Sequence, residues 1–204
     1  NVASMKVEGD TLVFSDILGV PTAVVVSAET KETAKMLQAE LSGPTFRIYT
    51  NPDMLGVELG AAFKNIIALA AGISDGLGFG DNTKAALMTR GIAEVARLGQ
   101  ALGARTETFY GLAGMGDMIV TCCSMHSRNR RAGILLGQGV PLEQALEEVH
   151  QVVEGVQNAH AAMQLAERYD VEMPITQEMN RVLFEGADPR DAVITLMCRD
   201  KKGE

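Results

Sequence analysis

Lys64 stands in the segment Leu59–Ile73, where Asn65 is the only other polar side chain. On a helix its neighbours three and four positions away are Gly60, Ala61, Ile67 and Ala68. An ammonium in such surroundings must reach a partner, water or a substrate, because burying it unpaired is costly. The small side chains beside it leave room for a substrate, so the amine could exchange a proton with a carbonyl or alcohol oxygen. Two plainer alternatives stay open. One is a structural ion pair, with Asp117 as the partner; the other is a lysine whose stem lies along apolar surface while its head reaches water.

A second group of residues, Gly114 to Arg131, suits an anion. Ser127, Arg128 and Asn129 stand where a helix should begin, and free backbone N–H groups and the helix dipole favour negative charge there. An arginine adds a forked donor matched to phosphate. Arg128, Arg130 and Arg131 form a basic knot in a chain of net charge −8. Asp117 and Thr121, four apart, would share one side of a helical turn. The alternative is a capped surface helix whose arginines pair with the surplus acids.

Other chemistry finds less support. His126, His150 and His160 have no metal-ligand spacing with the cysteines, so no metal is expected. Cys122 lacks an evident base and reads as a buried thiol. Gly76-Leu-Gly78-Phe-Gly80 imitates a phosphate loop, but Asp81 breaks the pattern and no strand precedes it. No G-x-G-x-x-G fingerprint occurs in the chain.

The 204 residues must position these groups, and the chain is 47% hydrophobic and 22% charged, so a packed core rather than disorder is expected. Aromatic residues make up only 4% while small and aliphatic ones abound, which favours close helix packing. The acidic balance argues against nucleic-acid binding. Three cysteines give no disulfide framework, and the opening residues have no export leader; a cytoplasmic location is expected. The apolar run Leu59–Ile73, interrupted by Lys64 and Asn65, is too short for membrane insertion.

Residues 1–52 read as a small α/β piece. Two short strands, Met5–Glu8 and Thr11–Phe14, flank a turn at Gly9-Asp10; strands at Thr22–Val26 and Phe46–Thr50 flank a helix over Glu29–Leu41. Residues 53–204 read as helical. Helices are expected at Met54–Ile73, from Asp81 or Asn82 as caps to Leu102, at Ser127–Leu136, at Leu142–His150 behind Pro141, at Glu154–Arg168, at Ile175–Phe184, and from Asp188-Pro189 to Cys198.

The segments Gly56–Gly72, Gly111–Cys122, Ser127–Arg131, Gln151–Gly155 and Val171–Ile175 together resemble, in order, the C-terminal half of bacterial-type NAD(P)-dependent glycerol-3-phosphate dehydrogenases. The resemblance runs from about Pro21 to the C-terminus. It implies a mainly α fold, a multi-helix C-terminal domain of the 6-phosphogluconate dehydrogenase C-terminal-like type, preceded by an α/β remnant of the dinucleotide-binding domain. That family reduces dihydroxyacetone phosphate to sn-glycerol 3-phosphate with NADPH or NADH, for glycerophospholipid synthesis. By the same resemblance Lys64 is the catalytic acid/base and also touches substrate. Asp117, Thr121, Ser127, Arg128 and Asn129 match substrate-binding positions, and Arg128, Val152 and Glu154 match cofactor-contacting ones. A homodimer is implied. Most of the Rossmann domain has no counterpart here, and Asp10–Val20 does not reproduce the family's segment ahead of Pro21. A helical module that binds a phosphoester without transferring hydride is the competing expectation. The strand edges left by the missing neighbours would pair with the Met5–Phe14 hairpin or with another subunit.

Overall fold

A computed structural model describes residues 20–200, and the backbone of residues 4–8 and 11–15. The chain divides into two compact units, Asn1–Met54 and Leu55–Glu204.

In the first unit β1 (Ser4–Glu8) and β2 (Thr11–Ser15) pair antiparallel, with Met5 opposite Phe14. The turn expected at Gly9-Asp10 lies outside the described residues. A separate parallel pair follows: β3 (Thr22–Val26) beside β4 (Phe46–Thr50), with Val24 in register with Ile48. Helix α1 (Lys31–Leu41) forms the crossover that parallel strands require. It starts two residues later than the periodicity suggests because the Thr30 hydroxyl accepts from the Thr33 N–H at 3.1 Å and so fixes the cap. Gln38 Nε2 donates to the Ile48 carbonyl at 2.8 Å, tying the helix to β4. The hairpin does not extend the parallel pair, contrary to one expectation; each ribbon forms its own two-stranded sheet.

The second unit is mainly helical. Helix α2 (Met54–Gly76) runs through its centre, with Ile66, Ile67, Ala68, Leu69 and Ala71 fully buried. It is three residues longer than its expected apolar span. Among the described residues it is also the one helix long and apolar enough to cross a bilayer, although its length lies mostly within the core. Helix α3 (Asp81–Ala101) packs on it where Gly91 leaves space for Ile67. Neither Asp81 nor Asn82 caps α3. Gly80 occupies the cap position without a side-chain bond, and Asp81 lies in the first turn, where its charge suits the dipole.

The segment after α3 departs most from the sequence reading. Helix α4 (Thr106–Tyr110), a wide π turn over Leu112–Gly116, and α5 (Asp117–Cys123) occupy a stretch with no expected helix boundaries. Gly114 permits the turn, since a Cβ there would sit 2.0 Å from the Phe109 carbonyl oxygen. Then come α6 (Arg128–Gly137), α7 (Leu142–Val149), α8 (Glu154–Tyr169), α9 (Pro174–Phe184) and α10 (Pro189–Met197). Ser127, Asp188 and Pro189 act at helix starts as expected, whereas Pro141 sits at the cap of α7, one place before its first turn.

Helix α6 lies against α2 on glycine. A Cβ on Gly133 would fall 2.1 Å from the Leu69 carbonyl oxygen, and one on Gly72 would fall 2.1 Å from that of Arg130. One turn on, Gly76 and Gly137 repeat the close approach, at 2.2 Å from the Ile134 oxygen and 2.4 Å from the Ile73 oxygen. This seam draws the start of α6 toward the middle of α2.

Glu94 fixes α9 from α3. It is 2% exposed, and its carboxylate accepts from the Ile175 and Thr176 N–H groups at 2.7 and 3.3 Å, at the helix start. Burial pushes its pKa up from the ordinary 4.5 to about 7, and these N–H donors offset part of that rise. Because the folded value lies above the unfolded one, this group's stabilising effect is complete below pH 4.5 and is lost as pH rises through about 7. Glu94→Gln removes the titration. Its stability relative to the parent is therefore expected to climb by roughly 3 kcal/mol across that window. Urea unfolding at several pH values measures this, and a difference that does not vary with pH would contradict it.

Candidate functional site

Lys64 and Asp117 come together as an ion pair between Nζ and Oδ2. The lysine side chain is 18% exposed and the aspartate 40%, so both are reachable from solvent. The elements explain the meeting. Lys64 projects from α2, Asp117 opens α5, and Gly60 faces Ala113 and Gly114 of the π turn, its missing Cβ 3.1 Å from the Ala113 oxygen. Thr121 donates to the Asp117 backbone carbonyl at 2.7 Å, and its hydroxyl is 3.5 Å from Oδ1. The i,i+4 spacing thus brings the Thr121 hydroxyl against Asp117.

Asn65, the neighbour of Lys64, is the residue that the sequence reading missed. It is 5% exposed. Its Nδ2 donates to Glu154 Oε2 at 3.0 Å, and its Oδ1 accepts from Asn129 Nδ2 at 3.0 Å. Asn129 Oδ1 in turn accepts from the Gly155 N–H at 2.7 Å. Two elements, the starts of α6 and α8, therefore converge on one residue of α2. Gly155 is required there, because a Cβ would lie 2.6 Å from the Asn65 carbonyl oxygen. The available signal was an amide inside an apolar helix, which must find partners.

Glu154 also faces Arg128, with Oε1 3.5 Å from Nη2. Its carboxylate is thus shared between Asn65 and Arg128, one residue from the lysine. The three arginines of the basic knot separate in function. Arg130 turns inward, where Asp75 receives its Nη2 and the Lys84 ammonium, each at 2.7 Å. Arg131 donates to the Val149 carbonyl at 3.4 Å. Arg128 alone of the three remains beside Glu154 on the accessible side, 38% exposed.

Ser127 caps α6, its hydroxyl oxygen accepting from the Arg130 N–H at 3.2 Å and its proton free to donate. Asn129 is 5% exposed; one of its two amide N–H groups goes to Asn65 and its oxygen accepts from Gly155, which ties the starts of α6 and α8 to α2. Val152 is exposed just before α8, and Ile119 and Val120 are exposed on α5. Cys122 is buried, and burial pushes its thiol up to about 12, which leaves it protonated and unreactive at neutral pH. Among the described residues no group of three His, Cys, Asp or Glu side chains could hold a metal.

The arrangement offers an ammonium paired to a carboxylate, a guanidinium at a helix start, and an apolar border. Together these can seat a phosphoester and move a proton. The family model described as "NAD-dependent glycerol-3-phosphate dehydrogenase C-terminus" matches residues 53–194. Glycerol-3-phosphate dehydrogenase [NAD(P)+] of Desulfitobacterium hafniense is 62% identical over 184 residues, covering 90% of this chain and 52% of the relative. That of Fusobacterium nucleatum is 60% identical, covering 91% and 56%. The crystal structure of glycerol-3-phosphate dehydrogenase from Coxiella burnetii superposes with a TM-score of 0.85 at 45% identity, over 89% of this chain and 56% of that one. The chain spans about half the length of the curated relatives it matches.

Proposed function

Because the chain belongs to the NAD-dependent glycerol-3-phosphate dehydrogenase C-terminal family, we propose that it is the substrate half of an enzyme interconverting dihydroxyacetone phosphate and sn-glycerol 3-phosphate. The observation that carries this reading is the Lys64–Asp117 pair, one residue along α2 from the Asn65–Glu154–Arg128 network. Arg128, the Ser127 hydroxyl and the start of α6 hold the phosphate. The Lys64 ammonium turns from Asp117 to the substrate oxygen and donates its proton in reduction; the neutral amine takes it back in oxidation. Asp117 keeps the ammonium in place between turnovers, Thr121 braces Asp117, and Asn129 locks the starts of α6 and α8 together.

Arg128, Val152 and Glu154 form an accessible edge on which the nicotinamide end of NADH or NADPH fits. That group, when bound, supplies the hydride. No dinucleotide fingerprint occurs in the 204 residues, which favours a second reading for the chain taken alone: phosphoester binding without hydride transfer.

Calorimetric titration with glycerol 3-phosphate tests the phosphate seat. Saturable binding is expected, weakened about tenfold or more in Arg128→Ala by loss of a charge-assisted contact. Glycerol without the phosphate is expected to show none. Equal affinity in parent and variant would remove Arg128 from the site.

A further inference from the structure

A cavity of about 1,030 Å³ opens among the C-terminal part of α2, α3, the connection from α8 to α9, α9 and α10. Lys64, Asp117, Arg128 and Glu154 do not line it. Ile73, Leu87, Met179, Val182 and Leu196 give it apolar walls. A space of this size with apolar walls and a few polar groups is the usual form of a small-molecule site.

Five of its polar groups are engaged. Glu94 holds the start of α9. Glu172 pairs with Arg199 at 3.4 Å, Glu178 pairs with Arg181 at 2.8 Å, and Arg97 donates to the Glu172 carbonyl at 3.0 Å. Exposed Thr83, Gln100, Asp170 and Asp200 also line it; beside them, two groups bear on the choice of ligand. Ser74 is 4% exposed, and among the described residues its Oγ has no hydrogen-bond partner. An interior hydroxyl left so carries an uncompensated desolvation cost unless something else satisfies it. Arg90 lies on the same face of α3 as Leu87 and Glu94, is exposed, and has no ion-pair or hydrogen-bond partner among the described residues. An accessible cation and a buried hydroxyl, with apolar wall between, ask for one kind of molecule.

We propose that this cavity binds a monomeric amphipathic anion: an apolar chain with a carboxylate for Arg90 and a second oxygen function for Ser74. The apolar part leaves water between α3 and α10, which supplies most of the driving force. The carboxylate sets the orientation, and the second oxygen completes the hydrogen bonding of Ser74. The site is separate from the phosphate seat and does not depend on the catalytic reading.

The test uses the whole chain, with 10-hydroxydecanoate, decanoate and decanol each displacing the dye 8-anilinonaphthalene-1-sulfonate. Both carboxylates are expected to displace it saturably, the hydroxylated one at lower concentration, and decanol poorly. Arg90→Glu, a change at an exposed position without a partner, is expected to weaken both carboxylates about tenfold. Ser74→Ala is expected to erase the difference between the two carboxylates while leaving decanoate itself unchanged. Affinities indifferent to Arg90→Glu, or decanol displacing as well as decanoate, would overturn the proposal. So would a difference between the carboxylates that survives Ser74→Ala. Dye binding that weakens as protein concentration rises would show that a second copy of the chain fills the cavity, which also overturns it.

Discussion

Lys64→Ala, in a chain joined to the dinucleotide-binding half of a relative, is expected to lower turnover of dihydroxyacetone phosphate by roughly 10³-fold, within the range for loss of a positioned acid. Affinity for glycerol 3-phosphate should change far less, because the phosphate is assigned to Arg128 and the start of α6. The fold should survive, since the lysine head lies at a solvent-reachable edge and the apolar faces of α2 are untouched. Lys64→Arg separates charge from proton transfer: it restores a cation beside Asp117, but a guanidinium does not give up its proton at working pH. Turnover in Lys64→Arg is therefore expected to stay near the alanine level. Steady-state kinetics of both variants measure this, and an alanine variant keeping more than about a tenth of parental turnover would exclude the assigned role.

Gly133→Ala is expected to destabilise the helical unit by about 3 kcal/mol or more, the upper range for overpacking. Two physical effects oppose each other here, and their signs differ. Helix propensity alone favours alanine over glycine by about 1 kcal/mol in a helix interior. The steric effect is larger, because the new methyl would stand 2.1 Å from the Leu69 carbonyl oxygen and 2.9 Å from the Gly72 Cα, and neither belongs to a flexible side chain. The two helices must part, and the packing around Ala132 and Leu136 loosens with them. For a chain of this size that is a fall in Tm of roughly 6–12 °C. Gly80→Ser makes the comparison: nothing lies within 4 Å of its Cβ position, and a serine there can cap α3, so a small gain is expected. Thermal unfolding followed by circular dichroism reads both. A Gly133→Ala chain more stable than the parent would mean that the seam yields easily.

Much of this architecture was legible in the residues. The long apolar run of α2, the cap at Ser127 and the Asp188-Pro189 start of α10 are local signals that the fold keeps, whereas the expected cap at Asp81 or Asn82 gives way to Gly80. The stretch from Thr106 to Cys123 was not legible, because a π turn depends on Gly114 accepting a backbone contact with Phe109 that no periodicity announces. Lys64 was recognisable as a charge out of place, and Asp117 was named as a partner for it. Asn65 was not recognised, since its role arises from Glu154 and Asn129, 89 and 64 positions away. The basic knot looked uniform in sequence. Its division into one accessible and two structural arginines depends on Asp75 and the Val149 carbonyl, which only the tertiary fold brings near.

The border of exposed aliphatic side chains beside the Lys64–Asp117 pair has a consequence for timing. Bulk solvent, with a dielectric constant near 80, weakens the attraction between two unit charges about fourfold relative to a partly enclosed site. With Asp117 two-fifths uncovered, the field around the Lys64–Asp117 pair is muted for as long as water reaches it. A surface that settled over Val120 and Val152 would expel that water and strengthen every polar contact beneath it at once. If the same surface delivered the electron donor, reactive environment and donor would arrive in one event, and an idle site would have little power to do unwanted chemistry.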